Sequence, residues 1–440
     1  MLNRLLFTRI DNSQLLIFRI FFGILIALEC YGAIVTGWVK DTLIDPHFTF
    51  TFIGFEWLQP LPGYGMYYYF FVMGTLGIFV ALGYKYRLSV ISFTILWAIV
   101  YLMQKSSYNN HYYLLALISF LMCFFPANTG YSIDARHNPS ARKNTMLSYI
   151  KWIVILQLFL VYSYASVAKL YGDWLDFRII EFLMKDKVNY PIIGELLQEN
   201  WVHKTIATTG IAFDALIVPA LLWKPTRKAA FLVSIFFHLF NSIVFQIGIF
   251  PYLALAFTVF FFEADTIRNI FFKKKNAVTK PYVKAPSNKK LLLYASGLYF
   301  CVQLLLPIRH HFIEDKVLWT EEGHRLSWRM MLRSRTGKIQ FKVVKNITGE
   351  SQIVKLEDHL SKKQMRKIGA YPDFIWQFAQ YLRNEHNTNG DEVSVYALNS
   401  KVSINGKPYK SFIDPKVDLA SEKWSHFGHH NWILPSDKTK

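Results

Sequence analysis

Cysteine is scarce in this chain of 440 residues, which contains only Cys30, Cys123 and Cys301, each within an apolar segment. Their positions fit neither a disulfide framework nor a thiolate metal site, so we interpret them as small core residues. The sequence also lacks a P-loop, an HExxH zinc motif and a nucleophile elbow. These absences argue against the corresponding nucleotide-hydrolysing, zinc-dependent and serine-hydrolase classes, and we predict no metal site.

Acidic side chains are in the minority, with 30 Asp and Glu against 49 Lys and Arg and a formal net charge of +19. In a soluble protein this excess would favour a nucleic-acid partner, but no zinc-finger, helix-turn-helix or RNA-binding signature is present. Hydrophobic residues make up 52% of the chain, which is typical of a multi-spanning membrane protein. Basic residues accumulate in the cytoplasmic loops of such proteins. We therefore predict a membrane protein without a nucleic-acid partner.

Apolar runs that are long enough, or nearly long enough, to cross a bilayer recur along the first 307 residues. We predict nine such runs, at residues 14–36, 66–83, 86–104, 111–127, 148–168, 205–223, 228–247, 249–263 and 290–307. The first run continues too far to be a cleavable signal peptide. Basic residues in alternate loops, beginning with Arg4 and Arg9, predict a cytoplasmic N-terminus. An odd number of spans then places the C-terminal part outside.

The C-terminal part, residues 308–440, differs in character from the apolar part. Residues 338–344 alternate like a strand, and residues 402–406 end in an Asn-Gly pair that suits a hairpin. Pro372 opens a predicted helix. The predicted fold class is a polytopic α-helical membrane bundle of about nine helices, residues 1–307, with a C-terminal α+β extramembrane domain on the outer, periplasmic or lumenal, side.

Lys169 is the most informative polar residue, because it ends a long apolar run and precedes a Gly-Asp-Trp turn that contains Trp174. A lysine in this position usually extends its ammonium group to the membrane surface. A desolvated lysine, in contrast, can lose its proton near neutral pH and then serve as a base. Position alone leaves both interpretations open.

Two further polar pairs occur within apolar runs. Asn110 and His111 begin a run directly after a predicted outer loop, and His238 and Asn241 lie about one helical turn apart within a span. Polar pairs inside a span usually face the interior of the bundle. The simpler interpretations are an interfacial histidine at 111 and a histidine satisfied by a neighbouring helix at 238.

Residues 319–333, at the junction between the two predicted domains, mix aromatic residues with arginines. They include His324, Arg325, Trp328 and Arg333. The planar fork of arginine suits carboxylates, so this segment could hold an acidic ligand or side chain. The alternative is an interfacial belt of Trp and Arg that anchors the C-terminal domain.

Taken together, these segments resemble the vitamin K-dependent γ-glutamyl carboxylase family, including its horizontally transferred transmembrane (HTTM) domain. The resemblance extends in family order over most of the chain. It is carried by residues 110–114, 167–170, 173–174, 237–242, 247–250, 327–331 and 412–418, followed by Trp424 and Trp432.

The resemblance implies an enzyme of the carbon–carbon lyase type. Such an enzyme couples the oxygenation of vitamin K hydroquinone, or of menaquinol, by O2 to the carboxylation of protein glutamate by CO2. The products are the quinone epoxide and γ-carboxyglutamate. Lys169 corresponds to the family's base on the quinol, and His111 to a histidine that can donate a hydrogen bond to developing negative charge.

The resemblance also implies binding roles. The residues expected at the quinone site are Asn110, Trp174, His238 and Asn241. The residues expected to bind the glutamate-containing protein or peptide are His324, Arg325, Trp328 and Arg333. The aromatic-rich spans would supply the apolar walls that a naphthoquinone and its tail require.

The chain departs from the animal members, which continue further and carry a disulfide between the two domains that no cysteine pair here can replace. We therefore expect a bacterial member in the inner membrane that uses a menaquinone. Two alternatives remain open. One is a quinol epoxidase or oxidase that does not carboxylate peptides. The other is a non-catalytic membrane protein that binds quinone or lipid, or a transporter.

Overall fold

The computed structural model describes residues 2–278, 281–388 and 392–436, and its first part is a bundle of helices. In chain order these helices are α1 (Leu2–Leu6), α2 (Ser13–Val35), α3 (Gly65–Leu82), α4 (Tyr86–Met103), α5 (Asn110–Met122), α6 (Ile133–His137), α7 (Ser148–Ala168), α8 (Gly172–Leu175), α9 (Arg178–Met184), α10 (Asn200–Leu222), α11 (Arg227–Val244), α12 (Phe250–Phe257), α13 (Ala264–Phe271) and α14 (Lys289–Ile308). Three short strands accompany them: β1 (Thr8–Asp11), β2 (Thr145–Leu147) and β3 (Tyr282–Val283). They form an antiparallel sheet in the order β2-β1-β3.

Seven helices among the described residues are long and apolar enough to cross a membrane: α2, α3, α4, α7, α10, α11 and α14. They match seven of the nine predicted runs and confirm the polytopic helical fold class. The other two runs differ from the prediction. Helix α5 has only 13 residues, and the run at 249–263 continues into a second helix that is bent by 115° relative to the first. Counting the bent pair as one span gives eight.

Helix α5 is short because both of its ends are determined locally. The side chain of Asn109 accepts a hydrogen bond from the backbone N–H of Tyr112 at 2.8 Å, which caps the N-terminus. Pro126 follows the last turn, and a proline ring disfavours helical backbone just before it. Hydropathy detects neither the cap nor the proline, so the predicted run at 111–127 extends beyond the end of the helix.

Helices α2 and α3 pack closely because small residues face each other. A β-carbon on Gly23 would lie 2.3 Å from the backbone nitrogen of Ala81, and one on Gly77 would lie 2.8 Å from that of Ala27. Each helix thus carries two small residues four positions apart, a spacing that lets membrane helices approach closely. Helix α2 also contacts α12 and α13, so it lies at the centre of the bundle.

The C-terminal domain is built around an antiparallel sheet, which confirms the predicted α+β architecture. Its helices are α15 (Val317–Thr320), α16 (Lys362–Ile368) and α17 (Pro372–Thr388). Its strands are β4 (Arg335–Lys345), β5 (Ser351–Ile353), β6 (Val393–Ile404) and β7 (Lys410–Ser411), in the order β5-β4-β6-β7. The predicted hairpin turn is present after β6, where Asn405 and Gly406 have φ values of 55° and 73°.

Each part of the molecule contributes an aromatic residue to the hydrophobic core of the other. Phe50, from the loop between α2 and α3, stacks on Phe374 of α17 with ring centroids 4.6 Å apart. In the opposite direction, Trp328 stacks on Tyr113 of α5 at 4.8 Å and belongs to the core of the helical bundle. Large aromatic contacts of this kind seat the C-terminal domain in one position on the helices.

Helix α7 extends from one end of the bundle to the other. Strand β2, paired with the N-terminal strand β1, comes directly before α7. Just after α7, the hydroxyl of Tyr171 donates a hydrogen bond to the carbonyl of Leu332. The N-terminus and the C-terminal domain therefore lie at opposite ends of the helical bundle.

The close approach of α2 and α3 makes a stability prediction. Gly23→Ala should destabilise the protein by about 1–3 kcal/mol, because the new methyl group would overlap the backbone of Ala81. Gly32→Ala, on the same helix, meets open space and should be neutral or slightly stabilising. Thermal unfolding of both variants in the same detergent checks the difference. Equal melting temperatures would contradict this account of the packing.

Candidate active site

Lys169 directs its side chain into the protein rather than to the surface. It is the residue that ends α7, and only 6% of it is exposed. Its ammonium group forms an ion pair with the carboxylate of Asp214 on α10 and lies 3.3 Å from the carbonyl oxygen of Ala165. Of the two interpretations left open by position, the structure supports the buried lysine.

Asp214 is a candidate functional residue that the sequence analysis missed. It is also 6% exposed and lies in the middle of α10. The signal was available, because Asp214 is the only charged residue within the predicted run at 205–223. An ionisable residue within a membrane span is expected to have a partner and to mark a functional site.

Trp174 forms one wall of the Lys169 site. The ammonium nitrogen of Lys169 lies 5.3 Å from the centroid of the Trp174 ring, within cation–π range. The indole N–H donates a hydrogen bond of 3.1 Å to the carbonyl oxygen of Ala207 on α10. A β-carbon at Gly210 would lie 3.3 Å from the same ring, so the glycine leaves room for it. Trp174 therefore holds α10 beside the end of α7.

His238 and Asn241 both lie on the buried face of α11. The Nε2 atom of His238 is 3.2 Å from the hydroxyl oxygen of Tyr162 on α7. Its ring also contacts Phe213, the neighbour of Asp214, with centroids 5.5 Å apart. The Nδ1 atom of His238 is buried and has no hydrogen-bond partner among the described residues. His238 thus lies beside the two helices that supply the ion pair.

His111 is linked to His238 through one aromatic ring. Phe250, at the start of α12, stacks on His111 with centroids 4.6 Å apart and meets His238 edge-on at 5.9 Å. The Nδ1 atom of His111 is buried and has no partner in the described part of the chain. A series of ring contacts therefore leads from Phe213, the chain neighbour of Asp214, to His238, then to Phe250 and finally to His111.

A cavity of about 240 Å³ lies at the junction between the helices and the C-terminal domain. Five of the predicted site residues line it: Asn110, His111, His324, Arg325 and Arg333. Residues predicted for the quinone site and for the glutamate site therefore meet at one place. The side-chain amide of Asn110 also lies 3.3 Å from the carbonyl oxygen of Arg329 and so helps to hold the junction segment.

Trp328 is not among the residues that line this cavity. It is 1% exposed and stacks on Tyr113 within the helical core, as described above. Its backbone has a φ of 55°, and Glu321, Leu326 and Met331 also have positive φ values. Bulky residues rarely adopt this conformation, and such strain is often found at functional sites. In the structure, Trp328 anchors the strained segment 321–331 in the bundle.

Two of the arginines at the cavity are bound to internal carboxylates. Arg325 forms a two-pronged contact with Asp373 at 2.7 and 3.3 Å, and Lys105 lies 2.8 Å from the same carboxylate. Burial opposes ionisation of Asp373, but Arg325 and Lys105 hold its pKa below the ordinary value. Asp373 therefore remains ionised and forms ion pairs with both Arg325 and Lys105.

Arg333 is paired in a similar way. Its guanidinium binds the carboxylate of Glu321, and Arg335 approaches the same group at 3.6 Å. Burial raises the pKa of Glu321, but the two arginines outweigh this effect and the net pKa is lowered. Burial and the surrounding arginines also lower the pKa of His324 well below its ordinary value, so this histidine is neutral at pH 7.

A larger apolar groove of about 780 Å³ lies between α2, α11, α12 and α13. His238 and Asn241 do not line it, although Ile235, about one turn before His238, does. Tyr252 lines the groove as well, and its hydroxyl lies 3.0 Å from that of Ser242. Sites for small molecules typically have volumes of about 300–1,000 Å³. The groove is therefore large enough for an extended apolar ligand.

Comparison with known families agrees with the two-part architecture. The model of the HTTM domain family matches residues 7–266, and the model described as the lumenal domain of vitamin K-dependent gamma-carboxylase matches residues 288–439. The chain belongs to the vitamin K-dependent gamma-carboxylase family, which confirms the resemblance noted in its sequence. It is a multi-pass membrane protein with a carboxylase-like function. No solved structure matches the chain.

The ion pair predicts a pattern of stabilities. Lys169→Met and Asp214→Leu should each destabilise the protein by about 3–5 kcal/mol, because each leaves one buried charge without its partner. The double variant should be less destabilised than either single variant. Lys151→Met removes a lysine elsewhere on α7 and serves as the control. Melting temperatures in nanodiscs check the order, and strictly additive losses would contradict a coupled pair.

Proposed function

We propose that this protein is an integral-membrane γ-glutamyl carboxylase. In the proposed reaction, a reduced naphthoquinone, O2, CO2 and a protein glutamate are converted to the quinone epoxide, γ-carboxyglutamate and water. The observation that carries this proposal is the buried pair of Lys169 and Asp214, together with the ring contacts that lead from Phe213, the chain neighbour of Asp214, through His238 and Phe250 to His111 at the cationic cavity. These contacts connect the helix that carries Asp214 with the cavity at the domain junction.

Lys169 is proposed to act as the base that removes a proton from a quinol hydroxyl. An ammonium group cannot accept a proton, so the lysine must first become a neutral amine. Asp214 supports this role because its carboxylate is in direct contact with the ammonium group and can accept the proton. Transfer of that proton would leave a neutral amine, the form in which Lys169 can accept a proton from the quinol.

His238 and His111 are proposed to stabilise negative charge on the quinol oxygens. If Tyr162 donates its hydroxyl proton to Nε2 of His238, the imidazole carries its own proton on Nδ1. That Nδ1 atom, like Nδ1 of His111, has no partner within the described residues. Each ring can therefore offer a hydrogen bond to a bound oxygen atom.

The apolar groove is proposed to hold the isoprenoid tail of the quinone. Helix α11 carries both the wall of the groove at Ile235 and, about one turn further, His238. A tail in the groove would then place the ring of the quinone near His238 and Phe250. Trp174 and Asn241 are proposed to border the site of the quinone ring. Asn110 is proposed to position the junction segment through its contact with the carbonyl oxygen of Arg329.

The C-terminal domain is proposed to lie outside a bacterial inner membrane, with the N-terminus in the cytoplasm. The structure places these two parts at opposite ends of α7. Basic residues in the loops near the N-terminal end, such as Lys273 and Lys274, favour the cytoplasm for that end. A glutamate-containing protein would then reach the cavity from the outer side.

The base assignment is tested with purified protein in nanodiscs, supplied with reduced menaquinone, O2, labelled bicarbonate and a short glutamate peptide. Lys169→Ala should reduce both epoxide and labelled peptide by about 10²–10⁴-fold, the usual contribution of a positioned base. Lys169→Arg should be equally inactive although it keeps the charge beside Asp214, because guanidinium does not lose its proton in proteins. Lys185→Ala, at an exposed lysine, is the matched control.

Turnover at the wild-type rate by Lys169→Arg would contradict the role of Lys169 as the base. Epoxide without labelled peptide from the wild-type protein would favour a quinol epoxidase that does not carboxylate peptides. Neither product, from protein that still binds the quinone, would favour a non-catalytic quinone-binding protein.

A further inference from the structure

A second polar cavity, the N-terminal cavity, lies at the end of the bundle that carries the N-terminus, opposite the C-terminal domain. Its volume is about 430 Å³. Four basic residues line it: Arg136, Arg142, Lys274 and Lys275. Among the described residues, no aspartate or glutamate lines this cavity. The proposed reaction makes no use of it.

Three of these four cations lack a counter-ion. Lys275 is the exception, because its ammonium group lies 2.6 Å from the carboxylate of Asp11 on β1. Arg136, Arg142 and Lys274 are exposed and form no ion pair within the part of the chain that the structure describes. Like charges that converge on one cavity repel each other, and a bound anion relieves this repulsion. The charge of the N-terminal cavity therefore favours an anionic ligand.

A buried arginine adds positive charge behind the wall of the cavity. Arg19 on α2 is 0% exposed and donates hydrogen bonds to the carbonyl oxygens of Ala127, Gly130 and Tyr131 at 2.8, 3.2 and 2.6 Å. Gly130 and Tyr131 belong to the lining. The Nε atom of Arg19 is buried and has no partner among the described residues. The three bonds fix the loop that forms the wall, and they place a guanidinium group directly behind it.

Asp134 belongs to the same chain segment, but it does not line the cavity. Its carboxylate accepts hydrogen bonds from the backbone N–H groups of Lys85 and Tyr86 at 2.7 and 3.0 Å. It also accepts one of 2.7 Å from the side-chain amide of Asn128. The carboxylate is therefore engaged with the turn before α4 rather than with the cations of the cavity.

Arg142 is held in place at the cavity. Its Nε atom donates a hydrogen bond of 2.7 Å to the carbonyl oxygen of Ala135 on α6. Its two terminal nitrogens have no hydrogen-bond partner among the residues that the structure describes. The planar fork of a guanidinium group matches the oxygen atoms of a phosphate. Arg142 thus presents donors that suit a phosphate group.

The cavity lies at the depth where the membrane helices begin and end. Asn12, directly before α2, donates its side-chain amide to the carbonyl oxygen of Lys143 at 2.8 Å and to the hydroxyl of Thr129, a lining residue, at 3.2 Å. Ser132, also in the lining, packs against Gly83 directly after α3, where an added β-carbon would overlap it. The headgroups of lipids lie at the ends of spanning helices.

Apolar surface borders the cavity on one side. The ring of Tyr131, which is 47% exposed, stacks on Phe272 with centroids 4.4 Å apart. Phe272 directly follows α13, the helix that is bent by 115° relative to the preceding one. The last two residues of α13, Ile270 and Phe271, are 60% and 42% exposed. This surface suits the acyl chains of a lipid, whereas free phosphate has no apolar part.

We propose that Arg136, Arg142 and Lys274 form a binding site for a phosphate group, supplied by the headgroup of an anionic phospholipid such as phosphatidylglycerol. Basic pockets between membrane helices bind such headgroups. The volume of the N-terminal cavity also lies within the roughly 300–1,000 Å³ of small-molecule sites. Free inorganic phosphate offers the same chemistry, but the depth of the site and its apolar border favour the lipid. This inference does not depend on the proposed reaction.

The test is native mass spectrometry of the full-length protein in a non-ionic detergent, titrated with phosphatidylglycerol or with phosphatidylcholine of the same acyl chains. Both lipids carry a phosphate, but only phosphatidylglycerol has a net negative charge. Wild-type protein should bind the first phosphatidylglycerol about tenfold more tightly than the first phosphatidylcholine. Arg142→Gln combined with Lys274→Gln should remove this preference. Lys85→Gln combined with Arg87→Gln removes the same charge at the same end of the bundle, outside the cavity, and should retain the preference.

A parallel arm compares the melting temperature of the lipid-depleted protein in sodium phosphate and in sodium chloride of equal ionic strength. A shift in phosphate that the Arg142 and Lys274 double variant loses, without any preference between the lipids, would assign the site to free phosphate and overturn the lipid as its source. Equal binding of the two lipids by wild-type protein without a phosphate shift would overturn the site itself. An undiminished preference in the double variant would do the same. Arg136→Gln combined with Lys274→Gln replaces the first double variant if that one does not fold, and the same loss of preference is expected.

Discussion

The buried ion pair between Lys169 and Asp214 is the interaction on which the arrangement of the membrane site depends. Taking two charges out of water is costly, and their attraction offsets this cost only when the contact is close. Helices α7 and α10 must therefore be adjacent, with these two residues at the same depth. Trp174 closes the space beside the lysine, and Gly210 leaves room for its ring. A pair of apolar residues would be cheaper to bury, so this ion pair is weak evidence for stability.

A second set of charges performs a different task at the domain junction. The contacts of Arg325 and Lys105 with Asp373 join the C-terminal domain to the end of α4, while the strained segment at 321–331 is anchored by Trp328 in the helical core. In the opposite direction, Phe50 from the loop between α2 and α3 packs against Phe374 of the C-terminal domain. The cavity therefore has walls from both parts of the molecule, and its shape is set by their docking. Internal carboxylates pair with Arg325, Lys105 and Arg333 at this junction.

Much of the architecture could be predicted because its causes are local. Seven of the predicted spans appear with nearly the predicted bounds, since the length of an apolar run directly reflects the thickness of the hydrocarbon core. The turn at Asn405 and Gly406 and the helix that opens at Pro372 follow from backbone preferences of single residues. The short α5 and the bend after α12 did not follow from hydropathy, because caps and breaks change the backbone without changing the apolar content.

The apolar lengths, the strand alternation and the motifs of the family could all be recognised in the sequence, since these features depend on residues close together in the chain. The partner of Lys169, the connection between His111 and His238 and the pairing of the junction arginines became visible only in the folded protein. An ion pair or a buried nitrogen without a partner is defined by what packs against it, and in this protein that neighbour comes from a distant helix or from the other domain.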